Sequence, residues 1–578
     1  MLRGDSGEFQ WAMASLNVAH ATGYPLFTLL GYSWQLFPLS NNFAWQLNLL
    51  APFFAALAGM MIFIFIRSIT TRNDAALIGA LFFALAPVMW FNASILEVYS
   101  LHAFLLALFL YLLWRWSLEP TQSAPLYLAF FILGLALAHH RLIVLALPAL
   151  FVWLLITDYR FFFNPLRLAL CALLTLPGLL LYLYVPLRLL PEGFSLDFAI
   201  YDIILGGEYA TSLLREFKPL PVLVEIPFQN FHVGLVLALL GASTLFRNPK
   251  NFQTRFRQEN GFGNFSTRNL NIALWLVYLT DVAFALVYNV PDIQVFLTSS
   301  FVVTAIWIGA GAAFLLEWIG ARVGATNGRR AQIPFALVMI LIPLFGLIHL
   351  PDIQTAVAKE TAPEARARAV GSANLPQGAL LELDWETATA LRFLQTTEKV
   401  RPDLDARLIA MNQREEFWRA LYNANAGRAV FIERGVKWTR APAGFITHAR
   451  ENDLAQIVRV PFEMKRERAE VNERVELLGY QSTLDAFIVY WRVKQALNKD
   501  VATFVHYLDA AGEKIAQDDR AACCEAVYGY RTSEWETGQI YADIFKPAPP
   551  NTKSFLVGMY ENVSGDIEPY GETIAIQP

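Results

Sequence analysis

The feature that most limits this chain is a succession of apolar segments, each long enough or nearly so to cross a bilayer. They fall at about 43–66, 75–91, 97–114, 125–138, 141–156, 168–187, 231–246, 271–288, 295–318 and 333–350, about ten spans in all. A backbone in hydrocarbon must satisfy its own hydrogen bonds, so such segments form helices that pack as a bundle. Composition agrees. Of 578 residues, 56% are hydrophobic and 16% charged, which is too apolar for a soluble chain of this size. The two segments flanking His139 are short, so they are tilted or partly re-entrant. Residues 24–38, with Pro25 and Pro38 near their ends, read as an interfacial helix. A net charge of -4 offers no basic surface for nucleic acid. Of the 3 cysteines, Cys523 and Cys524 are adjacent, and neither a disulfide framework nor a zinc spacing results.

Lys and Arg orient the bundle. One set of loops holds Arg67, Arg72, Arg115, Arg160, Arg167, Arg247, Lys250, Arg255 and Arg322, among others. The alternate set holds only Arg141, Arg188, Arg215 and Lys218. The rich set belongs in the cytoplasm. Residues 1–42, the His139–Arg141 turn, the 188–230 loop and everything after 350 then face outward from a plasma (inner) membrane. No basic region with an apolar core precedes Asp5, so a later span inserts the protein or the sequence begins after its natural start.

Past about residue 355 the long apolar runs stop. Ala379–Leu383, a helix through Leu391–Leu394 and a strand near Arg407–Ala410 suggest an α/β unit over 355–470. From 471 the hydrophobic period becomes two. Ala486–Val493 and Ala502–Leu508 read as strands, Asp509–Glu513 as a turn, and 471–578 as a β-sandwich. The expected fold is a mainly α-helical multi-span membrane protein: an outer loop over 1–42 with interfacial helices, spans over 43–354, an extracytoplasmic α/β segment and a C-terminal sandwich.

Chemistry-bearing residues gather on the outer side. Asp5 and Glu8 share one face of a short helix. They form a near capping box, and a carboxylate there could also accept a proton from an attacking hydroxyl. His20 precedes the Gly23-Tyr24-Pro25 turn; it either ends the helix or stands beside an anionic substrate group. Glu97 and Tyr99 open a span, where an acid marks the water boundary or lines a site. His139, His140 and Arg141 bring three potential cations to one outer turn, which suits a lipid phosphate. Arg188 ends another span on the same side, as a further donor or a boundary arginine. Asp281 lies mid-span without a visible partner, and Asp292 reads as a loop or cap residue. There is no Walker loop, no Rossmann fingerprint, no HExxH and no GxSxG.

These residues carry a resemblance over about residues 3–350. Gly4-Asp5-Ser6-Gly7-Glu8, His20 with Gly23-Tyr24-Pro25, Asn48-Leu49-Leu50, Glu97-Val98-Tyr99, His139-His140, Pro186-Leu187-Arg188 and Val290-Pro291-Asp292 resemble the proteins of domain of unknown function 2723. That family includes the transmembrane protein O-mannosyltransferases of animals and is similar to the GT-C class of glycosyltransferases. Ala21-Thr22 stand where the family has two prolines, and the family carries a span ahead of the acidic motif.

The resemblance implies an inverting GT-C-like enzyme of O-mannosylation or another hexosyl transfer. It would work in membrane lipid, with a polyprenyl-phosphate sugar as donor and a protein or glycan hydroxyl as acceptor. Asp5 would be the base, positioned by Glu8; His139, His140, Arg141 and Arg188 would hold the donor phosphate; His20, Tyr24, Glu97 and Tyr99 would meet substrate. A divalent metal at Asp5 and Glu8 is compatible with this chemistry and not required by it. Two rivals are a lipid-linked glycan transporter or flippase, which calls for polar residues near the midplane and a repeat, and a non-catalytic anchor for the sandwich.

Overall fold

The computed structural model describes residues 5–577 apart from 38, 41, 208–218, 248–266, 324–327, 350–354, 356–361, 409–427, 434–444, 450–453, 460–463, 483–486, 521–531, 536, 539 and 564–565. Cys523, Cys524, Arg215, Lys218, Lys250, Arg255 and part of the 407–410 strand fall outside the described residues. The chain forms two compact units, Met1–Pro363 and Glu364–Pro578.

The first unit is helical. Among the described residues six helical segments are long and apolar enough to cross a membrane: Phe43–Thr70, Tyr99–Leu118, Arg141–Phe163, Pro165–Glu192, Thr267–Val287 and Ile293–Val323. Two bent pairs add to these. Asn73–Ala84 and Pro87–Ser94 meet at 64°, and Pro221–Phe231 and Gly234–Phe246 at 107°. Pro87 and Pro221 stand at the first turn of their helices, where a missing N–H costs nothing. Ala124–Leu137 and Arg330–Leu344 are shorter apolar helices.

Small residues set how closely these helices pack. A Cβ on Gly178 would lie within 2.0 Å of the Gly134 backbone, and one on Gly241 within 1.9 Å of the Trp307 carbonyl oxygen. Lipid tails are as apolar as leucine, so close backbone approach of this kind supplies much of the association energy. The Thr298–Val323 helix is the hub, with 18 buried residues including Phe301, Trp307 and Leu316.

The second unit holds three sheets. β1 (Leu380–Leu383), β2 (Asp405–Leu408) and β3 (Val430–Glu433) pair in parallel in the order β2-β1-β3, and β5 (Leu454–Arg459) and β4 (Phe445–Ala449) extend that sheet antiparallel. The Trp385–Thr397 helix follows β1, capped where Asp384 accepts from the Glu386 N–H.

β6 (Lys465–Glu470), β7 (Val475–Ser482), β8 (Phe487–Val493) and β11 (Ile540–Phe545) form a second sheet. β9 (Ala502–Leu508), β10 (Lys514–Arg520), β12 (Ser554–Val563), β13 (Asp566–Pro569) and β14 (Ile574–Ile576) form the third. These two sheets share one core in which Val475, Leu477, Val489 and Trp491 meet Val505, Tyr507, Phe555 and Val557. Two-residue alternation dictates this face. The 509–513 turn joins β9 to β10: the Asp509 carboxylate accepts from Ala511 and Glu513 N–H, and Gly512 takes φ +79, a conformation that favours glycine.

Candidate active site

The site is built on the Asp5–Ser15 helix and the turn that follows it. Phe9, Ala12 and Met13 bury one side of that helix. Met13 lies against Gly31 of the Pro25–Trp34 helix, in the space a Cβ would need. Phe9 meets Tyr24 and Phe27 edge-on, each at 5.3 Å between ring centroids. Ser6 donates to the Leu96 carbonyl at 3.1 Å, and Gln10 donates to Asn48 at 2.9 Å. The helix is thereby tied to the start of the Tyr99–Leu118 span. Gly23 (φ +75) and Tyr24 (φ 41) turn the chain, and a Cβ on Gly23 would meet Val185 at 3.0 Å.

The turn delivers His20 between two carboxylates. Its backbone N–H donates to Glu8 Oε1 at 3.1 Å, its Nδ1 lies 2.5 Å from Glu8 Oε2, and its Nε2 lies 3.4 Å from Asp5 Oδ2. Burial alone would discharge this imidazole. The charges of Asp5, Glu8 and Glu97 outweigh it and push His20 up to about 10, so it is a cation at neutral pH. Asp5 is moved upward by burial, partly offset by His20, with Glu8 and Asp292 adding to the rise. Glu97 is buried and held well above the carboxylate range by that burial and then by Asp5. Asp292 is raised too, chiefly by desolvation.

Two expectations change here. Glu8 does not reach back to close a capping box; both its oxygens take His20. His20 is not open to a substrate anion, because two carboxylates already neutralise it. It serves instead as the counter-ion that fixes Asp5. A divalent ion bridging Asp5 and Glu8 would have to displace this ring, and among the described residues no group of three His, Cys, Asp or Glu side chains could hold a metal.

The 139–141 turn lies against the same turn from the other side. Tyr24 stands 5.3 Å from His20 and 5.8 Å from His140, ring to ring, and Tyr99 stands 5.7 Å from His140. The expected trio of cations is not there. His139 is wholly buried, donates from Nε2 to the Val98 carbonyl at 2.8 Å and packs on Phe27, and burial drives it down to about 4. His140 is held well below its ordinary value by burial, then by His102, His139 and His20. Both rings are neutral, so Arg141 alone brings positive charge. Its Nη1 donates to the Leu205 carbonyl at 2.7 Å, while its Nη2 is buried with no hydrogen-bond partner among the described residues.

Arg188 is turned to Glu192 at 3.6 Å, Glu192 also accepts from Asn17, and the Arg188 Nε has no hydrogen-bond partner among the described residues. Tyr24, Glu97 and Tyr99 are all buried about the cluster. Sequence reasoning did not place Asp292 in the electrostatic neighbourhood of Asp5 and Glu97; its position in the Val290-Pro291-Asp292 loop was the available signal. Nor did it find His102, an ionisable residue hidden in an apolar run, which is itself a mark of function.

Comparison with known proteins bears on this region. Residues 5–161 match the family model for the Protein O-mannosyl-transferase TMEM260 N-terminal domain. The mouse Protein O-mannosyl-transferase TMEM260 is 33% identical over 191 residues, 32% of this chain and 27% of the mouse protein. The Dictyostelium discoideum Protein O-mannosyl-transferase tmem260 is 24% identical over 273 residues, 42% of this chain and 33% of its own. The chain thus spans about a third or less of the length of the curated relatives it matches. Among solved structures, ArnT from Cupriavidus metallidurans bound to undecaprenyl phosphate matches 79% of this chain and 94% of its own, at 13% identity and a TM-score of 0.51. The fold is therefore the expected GT-C-like multi-span helical one, and the protein is an integral membrane protein.

Proposed function

We propose that this protein is a membrane glycosyltransferase of the domain of unknown function 2723 type. It moves a hexose, by resemblance mannose, from a polyprenyl-phosphate donor to a hydroxyl of a protein or glycan, on the outer side of the plasma (inner) membrane and with inversion. The observation that carries this is the bracket of Asp5 and Glu8 around a cationic His20, beside the unpartnered Nη2 of Arg141, inside the region that matches O-mannosyltransferases.

Asp5 is the base. It is about a third exposed while Glu8 is buried, so it is the carboxylate an acceptor can reach. Its raised proton affinity brings it closer to the working pH, where general-base catalysis is most effective. The acceptor O–H gives its proton to Asp5, its oxygen bonds to the anomeric carbon, and the bond from that carbon to the phosphate oxygen breaks. Polyprenyl phosphate leaves with the electron pair. Arg141 Nη2 donates to the departing phosphate, and a charge-assisted donor in a dry site lowers the barrier by several kcal/mol, of order 3. His139 takes no part in phosphate binding because its donor is spent on Val98. Tyr24, Tyr99 and Glu97, whose proton affinity burial raises, wall the sugar pocket. The Lys and Arg asymmetry supports an outward site and an outward C-terminal unit, which would engage the acceptor.

The test is sugar transfer by the purified full chain in lipid nanodiscs, with labelled polyprenyl-phosphate hexoses. Wild type transfers label. Asp5→Asn inserts normally and loses about 100-fold or more in kcat. Equal transfer by both, or none by wild type with any hexose, overturns the assignment.

A further inference from the structure

The segment after the Pro165–Glu192 span comes back to the pocket. Phe198–Ile204 is a short helix whose Ala199 is wholly buried in one core with Val18, Val185 and Leu189, and Ile203 packs on that core. Ile203 also reaches the turn that carries His20, since a Cβ on Gly23 would meet its methyl at 3.2 Å. The helix closes with the Leu205 N–H donating to the Ile200 carbonyl at 2.8 Å. Gly206 follows, buried and at φ +61, in the region that favours glycine. A Cβ there would stand 3.0 Å from Arg141 Nη1 and 3.6 Å from the Ala21 Cβ. Gly206 therefore fills the narrow space between the His20–Tyr24 turn and the arginine. The Leu205 carbonyl just before it is the one that accepts from Arg141 Nη1 at 2.7 Å.

A guanidinium is planar, and its N–H groups form a fixed fork. Holding Nη1 on a carbonyl sets the plane of the group and with it the direction of Nη2, which has no hydrogen-bond partner among the described residues. We propose that Leu205 and Gly206 are positioning residues that aim Arg141 Nη2 at the phosphate of the sugar donor. This rests on the reading of Arg141 as the residue that meets that phosphate. Gly206 contributes twice. Its left-handed φ turns the Leu205 carbonyl toward Arg141, and its missing Cβ leaves the room that the guanidinium occupies. Of the two atoms a Cβ would approach, Ala21 Cβ stands at ordinary contact distance and Nη1 is too close. The far end of a long side chain moves at little cost, so in Gly206→Ala it is Arg141 that gives way. The result is a misdirected arginine in a folded protein.

The experiment is a double-mutant cycle on the full chain in lipid nanodiscs, read as transfer from a polyprenyl-phosphate hexose. Gly206→Ala lowers kcat/KM for that substrate about tenfold, the worth of one hydrogen bond. In the Arg141→Gln background the same change costs less than about twofold, because the group it displaces is gone. Gly206→Asn, better tolerated at a left-handed φ, carries the same Cβ and shows the same loss. Gly193→Ala strains another positive-φ glycine, one with nothing within 4 Å of its Cβ, and leaves kcat/KM within about twofold. Nitrogen-15 NMR of arginine-labelled protein gives a readout apart from transfer, the Arg141 signals being assigned by their loss in Arg141→Gln. Wild type shows separate Nη1 and Nη2 signals for a held guanidinium, and Gly206→Ala averages them. Losses that multiply across the cycle overturn the proposal, as do a wild-type rate in Gly206→Asn, an equal loss in Gly193→Ala, or an Nη pair that stays resolved in Gly206→Ala. If Arg141→Gln transfers as well as wild type, or wild type transfers no hexose, the phosphate reading of Arg141 falls by itself. The Nη signals then decide separately whether Leu205 and Gly206 hold the guanidinium.

Discussion

His20→Gln removes the cation that Asp5 and Glu8 enclose while keeping a side chain of similar reach. His20 rises from 6.5 to about 10 on folding. At ~1.36 kcal/mol per pH unit this is worth about 5 kcal/mol. Asp5 is 34% exposed, and solvent screens its share, so about 2 kcal/mol is the realistic figure. Folded His20 binds its proton more tightly than the unfolded side chain does. Its stabilisation is therefore complete below pH 6.5 and disappears as pH rises toward 10. Asp5 and Glu97 also bind protons more tightly when folded, so they too favour the native state less as pH rises, in both proteins. Equilibrium unfolding of the full chain in detergent should show wild type more stable than His20→Gln by about 2 kcal/mol at pH 6, with the gap closing by pH 10. Turnover gives a second readout. Without the imidazolium, which lowers it, Asp5 takes up its proton at higher pH, so the acid limb of kcat moves upward and alkaline buffer partly restores rate. A gap that stays constant from pH 6 to 10, or an unmoved acid limb, would refute the counter-ion role.

Arg141→Gln should raise donor KM by about 10- to 100-fold, the worth of a charged hydrogen bond, and leave thermal unfolding nearly unchanged; Michaelis kinetics with a polyprenyl-phosphate hexose checks this. His139→Gln should change donor KM less than about threefold, because its Nε2 serves Val98, and it should cost stability instead, about 1–3 kcal/mol in unfolding experiments. Gly178→Val drives a side chain into the Gly134 backbone and should destabilise the helical unit by at least about 1–3 kcal/mol, read as a lower unfolding midpoint. Trp491→Phe removes the Nε1–H that donates to the buried Asp543 carboxylate at 2.7 Å; a loss of about 1–3 kcal/mol is expected, seen in unfolding of the full chain.

The expectations from sequence succeed where one physical rule acts alone. Hydrocarbon length and strand period determine where helices and strands run, and β9 begins and ends at Ala502 and Leu508 as its alternation requires. The site was legible in position: Asp5, Glu8, His20, Tyr24, Glu97, Tyr99 and His140 gather within one electrostatic and aromatic neighbourhood. Its charge states were not legible. Whether a histidine is a cation depends on what faces it, and Asp5 and Glu8 face His20 while Val98, Leu142, Tyr24 and Tyr99 face the 139–140 pair. A motif that reads as three cations becomes one cation and two neutral rings, because burial among apolar neighbours costs a charge more than the hydrogen bonds return.

That reassignment changes how phosphate would enter. Asp5, Glu8, Glu97 and Asp292 outnumber the cations His20 and Arg141, so a phosphodiester donor, which carries one negative charge, would be repelled if every acid were ionised. Burial eases this by raising the proton affinity of Glu97, and His20 is committed to Asp5 and Glu8, which leaves Arg141 to face the phosphate. In the proposed reaction phosphate binds at the Arg141 side of Tyr24, and the proton leaves on the Asp5 side. Tyr24 at φ 41 is the wall between them, its ring 5.3 Å from His20 and 5.8 Å from His140. Asp5 keeps its basicity only as long as that separation holds. Tyr24→Ala should therefore lose more in kcat than in donor affinity, since it lets the two charge systems meet without removing a phosphate donor. Equal losses in both, measured in the same nanodisc assay, would mean Tyr24 only shapes the pocket.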